Sequence, residues 1–260
     1  MKSIREVFAF YAFYGRKTRR TLAFLLIALI PVAIATIFRF RQAFEGDGSY
    51  DGLYLFTNVI MTFFLQFLVL ILTLFFGTSV LSEEVEGRTL TYLVTRPVSK
   101  AALLVGKYLA YSLIVSVLVW TGLVACFLIL CFARLGEAQV WMVLLRYLGV
   151  LTLGILAYGA FFTFLGSFLK KSIMVGLIFS FGWENVIQYF PGSTQRFAIV
   201  HYLKSLLPGV LQSRGRFSFL TFRLNPTSWP VSILTLLLIT AGFLTLAVLL
   251  FQSKEYNYED

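Results

Sequence analysis

Along this chain of 260 residues, long apolar runs alternate with short polar breaks. A helix needs roughly 20 apolar residues to cross a hydrocarbon core of about 30 Å. Six runs approach that length: Thr21 to Phe38, Leu53 to Leu81, about Ala102 to Phe132, Trp141 to Leu169, Ser172 to Pro191 and Pro230 to Gln252. Several exceed the minimum, so tilt or helix beyond the bilayer is expected. The fifth is interrupted by Glu184. The expected fold class is an all-α integral membrane protein of six transmembrane helices, with residues 1–20 as an N-terminal interfacial helix and residues 21–260 as one six-helix domain.

Three polar stretches carry patterns of their own. Before the first span, Ile4, Val7, Phe8, Tyr11 and Tyr14 recur every three or four residues, with Lys2, Arg5 and Glu6 on other faces. That spacing predicts an amphipathic helix lying in the membrane interface, set apart from the first span by Gly15 and a basic cluster. Between the second and third spans lies LSEEVEGRTLTYLVTRPVSKAALLVGK, Leu81 to Lys107. Here Glu83, Glu84 and Glu86 close one helix, Gly87 supplies a residue able to end it in left-handed geometry, and Pro97 disfavours helix at Arg96 so that a new helix can start near Ser99. In between, Leu90, Leu93, Val94 and Val98 are apolar and need a covering partner. A pairing of Glu84 with Arg88 adds only a few tenths of a kcal/mol, and the expected element is a short helix along the membrane surface over residues 82–100. The third stretch, residues 192–229, places Phe197, Val200, Leu203 and Leu207 at helical spacing and predicts an amphipathic helix on the outer surface.

Composition agrees with a membrane protein and removes several classes. Hydrophobic residues make up 59% and charged residues 13% of the chain, with a mean hydropathy of +0.85, outside the soluble globular range. Arg16, Lys17, Arg19 and Arg20 precede the first apolar run, but they sit too far from Met1 for a signal peptide and no small-residue cleavage pattern follows Arg39, so the first span is expected to stay. The 22 basic residues then orient the chain. With the N-terminus inside, thirteen fall on the cytoplasmic side (Lys2, Arg5, Arg16, Lys17, Arg19, Arg20, Arg88, Arg96, Lys100, Lys107, Lys170, Lys171, Lys254) and nine outside, five of these in the long outer connection. The short loops decide for both termini inside. The net charge of +10 argues for anionic lipid headgroups, and no basic–aromatic array of a nucleic-acid binder appears. Cys126 and Cys131 both fall in the third span and are expected to be core packing rather than disulfide or metal ligands.

Chemistry-bearing groups inside the spans are few. Asn58 and Gln66 lie in the second, and Glu184 in the fifth is a functional candidate by default, because an ionisable group at membrane depth is costly. These three are the candidate pathway or outer-gate residues. Against that stands an interfacial Glu184 satisfied by Asn185, or by Arg196 or Lys204 of the following loop. His201 is the single histidine; no hydrolase or metalloprotease motif recruits it, and it is expected to be structural. An intramembrane lipid-modifying enzyme would require Glu184 and His201 to converge as acid and base. A membrane anchor for a cytosolic machine is a third possibility.

The string SEEVEGRTLTYLVTRPVSKAALLVGKYLA resembles the signature of permease subunits of type-2 (ABC-2) ABC exporters: an acidic helix end, Gly87, Thr89, an apolar stretch, then Thr95, Arg96, Pro97, Ser99, Gly106 and Lys107. A weaker echo, Trp183 to Leu206, is similar to the outer connection before the last span in some of these permeases. The resemblance implies a translocation pathway in the inner (cytoplasmic) membrane and a coupling helix docking on an ATPase, with Leu90, Leu93 and Val94 filling the cleft and Glu83, Glu84, Glu86, Arg88 and Arg96 orienting it around Gly87 and Pro97. No phosphate-cradling loop exists in the chain; YGRKTRR lacks the upstream glycine and spacing. The chain is therefore expected not to be an enzyme and to bind no cofactor, ATP and Mg belonging to two separate ATPase subunits, with a second permease subunit completing the assembly.

Overall fold

A bilayer leaves these apolar runs little conformational choice, since every backbone N–H and C=O must be paired within the segment that crosses. The computed structural model describes residues 2–15, 18–45, 52–86, 99–169, 171–190, 193–207 and 226–253, and among them all regular structure is helical. Helix α1 is Lys2–Gly15, α2 is Arg19–Glu45, α3 is the continuous helix over 52–86, α4 is Lys100–Leu130 and α5 is Ala138–Phe168. A broken helix, α6, begins at Ser172, a short helix α7 covers Ile199–Ser205, and α8 is Trp229–Ser253.

Five of these helices are long and apolar enough to cross a membrane: Thr21–Arg41, Gly52–Val80, Lys100–Leu130, Ala138–Phe168 and Trp229–Ser253. They match the first four expected spans and the last to within a few residues. The fifth expected span, Ser172 to Pro191, is different. Its helix Ser172–Val186 rises about 22 Å at 1.5 Å per residue, short of a hydrocarbon core, and runs out through a single 3₁₀ turn, Ile187–Tyr189. Apolar composition alone counted it as a span; the helix itself packs on α3 and α5 and is shorter than the run.

Helix α1 does not cross over the bundle. Val7 and the Ile4 carbonyl lie against Gly106, Tyr11 lies beside Lys107 and Tyr111, and Gly15 lies against Tyr111 and Ile114. Residue numbers on the two helices rise together, so α1 runs along the first part of α4 in the same direction. Its other face leaves Phe10, Phe13 and Tyr14 exposed. Between α1 and α2, the Thr18 hydroxyl accepts from the Thr21 amide at 3.4 Å and caps the new helix.

The central contact joins α3 and α5. Lipid tails are as apolar as leucine, so packing in a bilayer depends on close van der Waals approach, which small residues permit. A Cβ added at Gly166 would sit 2.8 Å from the Thr78 carbonyl oxygen, and one at Gly77 would sit 2.8 Å from the Phe162 Cβ and 3.1 Å from the Gly159 oxygen. Backbone meets backbone there. Around this seam α8 lies along α5, α2 lies along α4, and the Tyr108 hydroxyl of α4 donates to the Leu156 carbonyl of α5 at 2.9 Å. Cys126 and Cys131 are both buried, as core packing requires. Helix α8 is the least enclosed span, with 11% of its apolar window buried, and α2 follows at 28%.

The seam yields a direct test. Gly166→Leu overpacks two backbones and is expected to cost about 1–3 kcal/mol, seen as earlier thermal unfolding in detergent. Gly149→Leu, at a position where an added Cβ meets nothing within 4 Å, leaves the unfolding midpoint unchanged.

Candidate functional site

Single π turns, rare and concentrated at functional sites, mark α3 and α6. In α3 they are Phe56–Ile60, holding Asn58, and Phe64–Leu68, holding Gln66. In α6 the π turn Phe179–Trp183 immediately precedes Glu184. Each turn takes in an extra residue and rotates the remainder of the helix, so the next side chain leaves the regular helical stripe.

Glu184 is 1% exposed, and its carboxylate is the hub of a buried cluster. The Tyr158 hydroxyl of α5 donates to Oε2 at 3.0 Å, the Val200 amide donates to the same oxygen at 3.2 Å, and the Ile199 amide donates to Oε1 at 3.1 Å. Three donors converge on one acidic group, the partner set of an acceptor-only carboxylate. The amides are the first two of α7. Helix starts leave such donors unpaired and normally recruit a Ser, Thr, Asp or Asn at the preceding position. Ala198 stands there with no capping group, and the Glu184 carboxyl supplies the missing cap from another helix.

The cluster extends through amides and one amine. Gln188 donates to the Glu184 carbonyl at 2.6 Å and accepts from both the Gln66 side chain at 3.0 Å and the Lys204 ammonium at 2.5 Å. Gln195 donates to the Gln188 carbonyl at 3.2 Å. Lys204 is itself buried. Gln66 stands midway along the apolar stretch of α3, and Leu203 lies against Gly154, midway along α5. The cluster therefore sits halfway along the bundle rather than at its outer end.

This geometry revises two expectations. The helix predicted for the outer connection forms over Ile199–Ser205, but it is not a surface helix. Val200, Leu203 and Leu207 are buried as the spacing implies, but Phe197 of the same stripe is 75% exposed, and His201 and Lys204 are buried too. The helix is wedged between α5 and α8. Glu184 is satisfied, though mainly by partners the sequence did not indicate: Asn185 turns instead to the Ser180 carbonyl at 2.9 Å, while Tyr158 and two backbone amides take its place. Sequence spacing carries no signal for Tyr158, one of many aromatics. Ala198 before a helical pattern, with no capping residue, is the one available clue that a cap comes from elsewhere.

Of the three candidate pathway residues, Gln66 and Glu184 are joined through Gln188. Asn58 is apart from them, donating to the Tyr54 carbonyl and the Thr57 hydroxyl of its own helix. His201 bonds the Thr227 hydroxyl through Nε2 at 3.0 Å, so it and Glu184 have separate partners. Among the described residues no group of His, Cys, Asp and Glu is placed to hold a metal ion.

At its C-terminal end, α3 continues past its apolar stretch through Glu83 and Glu84 to Glu86. Ser99 starts α4 as expected, its hydroxyl accepting from the Ala102 amide at 3.2 Å. Gly87, Arg88, Leu90, Leu93, Val94, Arg96 and Pro97 lie outside the described residues. Two positions of the same motif have structural roles: Gly106 admits α1, and Lys107, 1% exposed, places its ammonium 4.9 Å from the Tyr11 ring centre and 5.6 Å from that of Tyr111, a cation–π arrangement.

The family model described as ABC-2 family transporter protein matches residues 16–183, which takes in α2 to α5, the whole motif between α3 and α4, and α6 up to the residue before Glu184. No curated protein matches the sequence.

The Glu184 hub can be tested by stability. Tyr158→Phe removes one of its donors and is expected to cost about 1–3 kcal/mol, measured by thermal unfolding in detergent. Lys204→Met, which strips the buried carboxylate of its nearby cation, is expected to destabilise more than the double variant Lys204→Met with Glu184→Gln.

Proposed function

This chain belongs to the ABC-2 family of transporter proteins, and from that membership we propose that it is the membrane subunit of an ATP-driven exporter, working with separate ATPase subunits. The observation that carries the proposal is the family match across the motif at residues 82–100, a segment held at both ends by long helices. Helix α3 arrives through Glu86 and α4 departs from the Ser99 cap. A short element tied to two such helices passes on a displacement as a rigid-body push. Helix α3 also forms the close seam with α5 at Gly77 and Gly166 and carries Gln66 into the buried cluster. A push at the cytoplasmic end thus has a continuous mechanical path to the middle of the bundle.

In this proposal Leu90, Leu93 and Val94 enter a cleft of the ATPase, with Glu83, Glu84, Glu86, Arg88 and Arg96 setting the orientation and Gly87 and Pro97 bounding the element. Both termini are cytoplasmic, and α1 lies at the cytoplasmic end. Two ATPase subunits and a second permease complete the complex, the sparsely enclosed faces of α2 and α8 being available to that second permease or to lipid. Glu184 and Gln66 act as the inner framework of an outer gate: the carboxylate fixes α7 to α5 and α6, and movement of α3 reaches it through Gln66 and Gln188. Asn58, bonded within its own helix, lines the pathway above. The enzyme alternative has less support, because Glu184 is fully engaged with donors and His201 is engaged elsewhere. Anchoring without transport is distinguished by a transport assay alone.

Leu90→Asp or Leu93→Asp is expected to leave the protein inserted in the membrane, while co-purification of the ATPase falls and the ATPase activity of the complex drops at least about tenfold, as loss of one buried apolar anchor worth about 1.5–3 kcal/mol implies. Unchanged association and turnover in both variants would sink the docking proposal. Glu184→Gln, which keeps the shape and loses the charge, is expected to lower transport without releasing the ATPase; full transport would assign Glu184 to structure alone.

A further inference from the structure

A groove of about 550 Å³ opens on the outside of the bundle where α1, α4 and α5 meet. Neither ATPase docking nor the Glu184 cluster involves it. Its walls come from Phe8 of α1, Leu109, Leu113 and Trp120 of α4 and Leu156 of α5, and Arg5 stands at one end. From Leu109 to Trp120, α4 rises about 16 Å, so the groove is a long slot, and Arg5 at one end is the only charged residue lining it among the described residues.

The polar atoms in the walls are already satisfied by protein. The Ser116 hydroxyl donates to the Ser112 carbonyl at 2.8 Å, the Trp120 indole donates to the Thr152 hydroxyl at 3.1 Å, and that hydroxyl donates to the Leu148 carbonyl at 2.7 Å. A water needs two to four polar partners to be held in a cavity, and these walls offer it few. Apolar chain suits the slot. At the other end the chemistry reverses. Arg5 is exposed, and it lines the slot where its neighbour Glu6 does not. Basic residues beside a membrane attract anionic headgroups.

We propose that this groove binds one anionic phospholipid of the cytoplasmic leaflet, with the phosphate on Arg5 and an acyl chain lying along α4 as far as Trp120. The charge at one end and the self-satisfied apolar wall along the rest match a lipid's own polarity from headgroup to tail. The bound chain fills the space between α1 and α5 and so holds α1 against α4. The assignment rests on α1 lying at the cytoplasmic side and is independent of ATPase docking.

Native mass spectrometry of the intact purified protein, titrated with phosphatidylglycerol or phosphatidylcholine, reads this directly. The wild type is expected to retain phosphatidylglycerol in preference. Arg5→Ala weakens retention of phosphatidylglycerol about fivefold, the effect of one basic residue near an anionic surface, and abolishes the preference. Leu113→Trp, which fills a half-exposed position of the slot, removes the bound lipid of either kind while its thermal unfolding midpoint equals that of delipidated wild type. Quenching of Trp120 by phosphatidylglycerol brominated on its acyl chains, taken as the difference from Trp120→Phe, falls with the same variant. The proposal is overturned if lipid retention is the same in all three proteins, if Arg5→Ala keeps the headgroup preference, or if Leu113→Cys cross-links to a second copy of the chain, which would make the groove an interface between permeases. None of these readouts passes through transport or ATP hydrolysis, so failure here is separable from failure of the exporter proposal.

Discussion

The backbone contact between α3 and α5 governs what the rest of the bundle can do. Apolar side chains gain little by leaving lipid for protein, so helices that must stay together need dense contact rather than mere hydrophobicity. Gly77 and Gly166 provide it, each placing one helix's backbone against its neighbour with no room for a methyl group. Because the two helices touch at this seam, Gln66 on one and Tyr158 on the other can reach the same buried cluster. Gly176 of α6 extends the same packing, an added Cβ there meeting Leu74 and Phe162.

Within that frame a single carboxylate organises the irregular part of the chain. A short broken helix and a seven-residue helix placed halfway along a membrane bundle present backbone groups that lipid cannot satisfy, and such backbone is tolerated only where protein encloses it. Glu184 meets the need by capping α7 and receiving Tyr158, and Gln188, Gln195 and Lys204 close the surrounding bonds. The arrangement explains why an acidic residue is tolerated at this depth and why it directly follows the π turn of α6: that turn re-aims the side chain into the cluster.

The two ends of the molecule divide the work. At one end α3 finishes at Glu86 and α4 starts at the Ser99 cap, on either side of the motif that the family match takes in, and α1 is seated on α4 by Gly106 and the Lys107 ammonium between two tyrosines. Halfway along, the polar cluster ties α3, α5, α6 and α7 together. Helix α3 is common to both, which makes it the element able to relate an event on the membrane surface to the shape of the interior.

The sequence by itself determined that the chain is helical and crosses a membrane several times, where five of the spans begin and end to within a few residues, that Ser99 opens α4, and that the chain resembles ABC-2 permeases. Each follows from local chemistry: apolar runs of sufficient length, a capping hydroxyl, a string of residues close in sequence. Tertiary structure alone decided the fate of the fifth run and of the helix after it. Apolar periodicity cannot distinguish a helix that meets lipid on the far side from one that ends beside Gln66 and Tyr158. The partners of Glu184 come from α5 and from amides of α7, distant in the chain and without a sequence pattern of their own, so its role as the cap of another helix exists only once the bundle has closed around it.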